Sequence, residues 1–159
     1  MNYFTHYWRA DTVAFHMANS GLRAEGFNHT ASALLRARGV VSGSRLYGIS
    51  YLEGQLHVIG RMTVKAVLMT DEAVASLGIS DLWDAEDHAI ARRSSDTRPL
   101  RDDAVLSTVS VENMSFICAD GLERPPARNR AGEIDFQTFR NVREISASTA
   151  ESLDKVLGL

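Results

Sequence analysis

The sequence predicts an α+β fold: a small curved β-barrel flanked by short helices, in a single domain over residues 1–159. Three observations lead there. Strand-like stretches outnumber helical ones, and the helical ones are short. Glycines at 48 and 60 interrupt the two most strand-like stretches, where a bulge or sharp bend lets a sheet curl. The chain has 159 residues, 45% hydrophobic and 23% charged, which suffices for a sizeable core and fits a globular chain.

The aromatic run Tyr3 to Trp8 is β-prone and reads as the first strand. Asp11 suits the cap of a short helix over 12–19, with Gly21 stopping it. Residues 22–28 read as a loop. A second short helix is expected over 30–38, with Leu34 and Leu35 facing inward and Gly39 in the left-handed position behind it. Residues 45–51 and 55–69 form the clearest strands, joined by a tight hairpin at Glu53 and Gly54. Thr70 is expected to cap a helix over 71–77, whose first turn carries acids. Leu82 and Trp83 tuck into the core. Strands follow over 86–93 and 104–111 around a loop at Thr97, Arg98 and Pro99. Residues 114–118 fit either a strand or a short helix. Residues 124–130 form an exposed basic loop. Ser148 to Glu151 fits a capping box that opens a last helix, with Leu153, Val156 and Leu157 inward.

Composition narrows the function. The net charge is −3, so the chain is not a uniformly basic nucleic-acid binder. Residues 1–70 nevertheless carry seven Lys/Arg against three Asp/Glu, whereas residues 71–90 carry six acids and no base. The first half can therefore face a phosphate backbone, although such fluctuation also arises without purpose. One cysteine excludes a disulfide framework or a multi-cysteine zinc site. Cys118, between Ile117 and Ala119, reads as a small buried hydrophobe. No apolar run spans a bilayer and no secretory leader is visible, so no membrane role is expected and the cytoplasm is.

The chain lacks a zinc deaminase signature, a His-Glu-x-x-His pair, a phosphate-binding Gly-x-x-x-x-Gly-Lys loop and a Gly-x-Ser-x-Gly elbow. Catalytic residues, a metal and a cofactor are accordingly not expected. His6, His16 and His57 read as hydrogen-bonded structural histidines. His29 and Thr30 stand at the start of the expected helix, where free N–H groups can meet a phosphate or a base edge, or can simply be capped. Tyr47, Ile49 and Tyr51 share one strand face by period two. Aromatic faces can sandwich a base or fill a core. Trp8, at the end of the first strand, is the best candidate for the former.

Asn28-x-x-Ala31-x-x-x-Leu35-Arg36, then Gly43, two β-rich strands, and Ile59-Gly60 leading to Val64, resembles the EVE domain. That family belongs to the PUA-like superfamily, with the ASCH and YTH domains. The resemblance covers about residues 3–69. It implies a PUA-like barrel and nucleic-acid binding, with a modified base flipped into a pocket beside the barrel. The family's Ser-Glu-Pro after the first strand is Trp8-Arg9-Ala10 here, its Arg-Asn pair is Ser32-Ala33, and its acid after Gly43 is Ser44.

These readings together give a reader module for DNA or RNA. Tyr7, Trp8, Asn28, His29, Thr30, Ser32 and Tyr51 would hold the base, and Arg36, Arg38 and Arg61 the backbone. Such a module suits work beside a nuclease or other effector protein. Two alternatives belong to other classes. One is an ASCH-like hydrolase of modified nucleosides, for which only Lys65 and Lys155 are available as lysines. The other is a protein-interaction domain without a ligand.

Overall fold

The computed structural model describes residues 1–19, 26–92 and 101–159. In chain order these form β1 (Tyr3–Tyr7), α1 (Ala10–Ala18), β2 (His29–Ala31), β3 (Arg45–Leu52), β4 (Gln55–Leu68), α2 (Thr70–Leu77), β5 (His88–Ala91), α3 (Thr108–Glu112), β6 (Phe116–Ile117) and β7 (Glu123–Arg124). A 3₁₀ turn (Phe136–Phe139), β8 (Val142–Ile145) and α4 (Ala147–Val156) complete the chain. The fold is mixed α+β: among the described residues there are one eight-stranded sheet, ordered β2-β5-β4-β3-β1-β8-β6-β7, and four short helices. β1 runs parallel to β3, and the other neighbours are antiparallel. No pairing among the described residues joins β2 to β7, so the sheet does not close on itself.

The β3–β4 hairpin forms where expected. Glu53 (φ 49°) and Gly54 (φ 80°) both take the left-handed conformation that a two-residue primed turn requires. The register then slips by one residue. Gly48 faces Gly60, but Ile49 faces Val58, which leaves Ile59 as the extra residue of a bulge. One inserted residue reverses the side-chain alternation beyond it. Leu56 and Val58 consequently enter one core, with Tyr47, Ile49, Phe116 and Phe139, beneath α3 and α4. Met62 and Val64 enter a second core on the opposite face, with Phe4, Trp8, Val13 of α1, Phe27 and Leu35.

The paired glycines have a packing reason as well. A Cβ on Gly48 would lie 2.8 Å from the Phe27 ring, and one on Gly60 would lie 2.5 Å from Phe27 Cβ. Phe27 thus rests on bare backbone at the bend of the hairpin, a closeness that only glycine permits.

Several local expectations are corrected. Residues 30–38 are not a helix. His29, Thr30 and Ala31 pair with β5 as β2, and residues 33–39 are turns. Buried Asp87 captures this segment. Its carbonyl accepts the Ser32 N–H at 2.9 Å, and its carboxylate accepts the Arg36 N–H at 3.0 Å. The segment still ends as a helix would. Val40 N–H bonds Leu35 C=O, Gly39 N–H bonds Arg36 C=O, and Gly39 has φ 85°, which is a Schellman motif.

The strand expected over 104–111 does not form, and only an isolated bridge between Val105 and His57 remains of it. Ala104 and Leu106 hydrogen-bond to Val58 and Leu56 of β4. Ser107 then accepts the Ser110 N–H at 3.1 Å and starts α3 instead. Three caps also shift. Asp11 and Thr70 lie inside α1 and α2, which begin after Arg9 and Met69. Ser146, not Ser148, caps α4 by accepting the Thr149 N–H at 3.2 Å. The expected features at Gly21 and at Thr97 to Pro99 lie outside the described residues.

Candidate functional site

Period two along β1 places Phe4, His6 and Trp8 on one face. Trp8 is 5% exposed and belongs to the second core. Its ring lies 5.2 Å from Phe27, 5.1 Å from His16 and, edge-on, 4.8 Å from Trp83. Its indole N–H donates to Thr30 Oγ1 at 2.9 Å, and the same oxygen lies 2.7 Å from His6 Nδ1. Thr30 is fully buried and His6 is 6% exposed. Burial holds the His6 imidazole down at a pKa of about 4, so the ring is neutral near neutrality.

His6 lines a cleft of about 730 Å³ at the end of β1, together with Tyr7, Arg9, Ala10, Asp11, Ser32, Arg140 and Asn141. Register explains how distant residues meet there. β8 pairs with β1, with Val142 opposite His6. Asn141 turns the chain into β8 with φ 65°, and its carbonyl accepts the Tyr7 N–H at 3.0 Å. Asparagine tolerates this left-handed geometry better than most side chains. Arg9 and Arg140 are both exposed. Arg9 pairs with Asp11 at 3.0 Å, in water, where such a pair is weak.

The expected site residues divide. Tyr7 and Ser32 line the cleft, and Trp8 and Thr30 are buried in the hydrogen-bonded chain that ends at His6. His29 lies on the other side of the tryptophans, 5.7 Å from Trp83. Its Nε2 is 3.0 Å from His88 Nδ1, and the two rings stack. Burial first, then the neighbouring His88 and His16, depress its pKa to about 4. The Asn28 carbonyl accepts the Ala91 N–H and ties β2 to β5. Tyr51 is far along β3, packed on Phe136 at 4.3 Å.

Of the expected backbone contacts, Arg36 pairs with Asp87 at 3.2 Å and Arg38 is exposed. Arg61 is turned inward. Asp154 of α4 accepts from Arg61 at 2.8 Å, Arg45 at 3.1 Å and the Tyr47 hydroxyl at 2.8 Å. Three of the six described bases of residues 1–70 are therefore consumed by internal pairing. Among these described bases, Arg9, Arg38 and Lys65 remain on the surface without a buried carboxylate.

Sequence reasoning missed His6 as a cleft residue, along with Arg9, Arg140, Asn141 and the Trp83 contact. The shared face of His6 and Trp8 is a signal that alternation could have supplied. Nothing local announces Arg140 and Asn141, since a strand pairing alone brings them to β1. Lys65 and Lys155 are exposed and neither lines the cleft.

Two other cavities hold none of the expected base-binding residues. One, of about 770 Å³, lies between the β3–β4 hairpin, α3 and residues 128–137. Another, of about 580 Å³, is lined by Arg36 and by Asp71, Asp84, Glu86 and Asp87. No helix among the described residues is long and apolar enough to cross a membrane.

No family model matches the chain, and neither a curated protein nor a solved structure matches it.

Proposed function

We propose that this protein is a nucleic-acid reader module of the EVE type, its eight-stranded sheet serving as a PUA-like barrel. It takes a flipped, modified base into the cleft at the end of β1. The observation that carries the reading is that cleft. It is large enough for a nucleotide, its lining includes the polar residues His6 and Ser32, and two exposed guanidinium groups flank it. Polar lining and cationic rim suit a base edge and a phosphate in turn. Trp8 supports this arrangement from within the core and does not itself stack on the base. The module needs no cofactor, and it acts in the cytoplasm beside an effector such as a nuclease.

The test is a titration of single-stranded oligonucleotides, with and without a modified cytosine, at several salt concentrations. If Arg9 and Arg140 each meet a phosphate, log affinity falls against log salt with a slope of about −1.4. The double variant Arg9→Ala/Arg140→Ala brings the slope toward zero and keeps the fold, since both side chains are exposed. Absence of binding, or binding indifferent to salt, overturns the reading.

A further inference from the structure

His6 is more than nine-tenths buried, and only one of its ring nitrogens has a protein partner among the described residues. Which nitrogen carries the hydrogen follows from its neighbours. The Trp8 indole can only donate, so Thr30 Oγ1 accepts from it at 2.9 Å. Among the described residues, the Thr30 hydroxyl hydrogen then has one acceptor in reach, His6 Nδ1 at 2.7 Å. A neutral imidazole that accepts at Nδ1 carries its hydrogen on Nε2. The chain Trp8 to Thr30 to His6 therefore runs in one direction and ends as an N–H donor in the cleft that His6 lines.

We infer that the buried end of the cleft selects a nucleobase that offers a carbonyl oxygen to His6 Nε2–H, with Thr30 as the positioning residue that sets the donor. This rests on the nucleotide reading above and specifies which atom of the base is read. A buried donor left without its acceptor costs far more than the made bond returns. The donor therefore rejects a base that lacks the carbonyl more than it rewards one that has it. The neutral ring supports this, because the low His6 pKa keeps Nδ1 free to accept throughout the physiological range.

Two measurements decide the inference. Long-range ¹⁵N–¹H correlation spectra of the unliganded protein report the His6 tautomer. Calorimetric titrations compare 5-methylcytidine 5′-monophosphate with its C-nucleoside analogue in which C–H replaces the C2 carbonyl. The expected results are a hydrogen on Nε2 and a loss of about tenfold to a hundredfold for the analogue. Thr30→Val should release the tautomer and weaken binding of the parent nucleotide about tenfold or more, whereas Thr30→Ser keeps both. Should Thr30→Val fail to fold, the wild-type spectrum and the paired titrations still decide. A hydrogen on Nδ1 overturns the inference. Equal affinity for both ligands overturns it and leaves the nucleotide reading standing. Failure of both ligands to bind, with the Nε2 tautomer present, overturns the nucleotide reading and the inference with it.

Discussion

Trp8 and Trp83 meet edge to face at 4.8 Å, and Trp8 also holds Thr30 by its indole N–H. Truncating a core tryptophan costs about 3–5 kcal/mol. Trp8→Ala should therefore lower the denaturation midpoint steeply, whether or not a ligand is present. Trp83→Ala should cost less, since Trp83 is only half-buried. In a double-mutant cycle the two should couple by about 0.5–1.5 kcal/mol, as aromatic pairs do. Strict additivity would show that the contact carries no energy of its own. Gly60 offers a second residue-scale test. An added Cβ would lie 2.5 Å from Phe27 Cβ. Gly60→Ala should destabilise by about 1–3 kcal/mol through overpacking. An unchanged urea midpoint would mean that Phe27 yields without cost.

The cap of α4 separates two readings at the scale of an element. The pattern Ser148 to Glu151 suggests a cap at Ser148, yet Ser146 Oγ accepts the Thr149 N–H. Losing a serine cap costs about 0.5–2 kcal/mol. Ser146→Ala should show that loss in chemical denaturation, and Ser148→Ala markedly less. The reverse order would place the start of α4 two residues later. The segment after β2 carries the same lesson. Leu34 to Gly39 has helical composition and a helical ending, but Asp87 claims the Ser32 and Arg36 N–H groups and the β5 edge claims residues 29–31. Where a buried acceptor and a sheet edge compete with local propensity, tertiary bonds win, because propensity differences amount to only tenths of a kcal/mol per residue.

Across the whole molecule, buried histidines couple the fold to pH. Burial lowers His6 and His29 from 6.5 to about 4, and His16 is lowered by the same cause. Between those values the unfolded chain binds more protons than the folded one. Stability therefore rises with pH across this window and levels off above about pH 7, with each strongly shifted histidine adding up to about 1.4 kcal/mol per pH unit. Urea unfolding from pH 4.5 to pH 8 checks this. Stability that increased on acidification through the window would contradict the burial of these rings. His6→Gln should flatten part of the slope.

Local pattern was sufficient for β1, for the β3–β4 hairpin with its turn at Glu53 and Gly54, for the glycine-marked bulge, for β5 and for Gly39 as a helix-like stop. These features depend on alternation, on positive φ and on bare backbone, all properties of neighbouring residues. The resemblance through residues 28–36 pointed to the end of β1. It did not distinguish Tyr7 and Ser32, which line the cleft, from Tyr51 and Arg61, which pack elsewhere. Only tertiary structure decided that Trp8 is buried, that Arg45 and Arg61 spend their charge on Asp154, and that Arg140 and Asn141 arrive beside Tyr7 through the pairing of β8 with β1. The physical reason is common to all three. Burial, ion pairing and strand partnership join residues far apart in the chain, and no short-range spacing records which of them will meet.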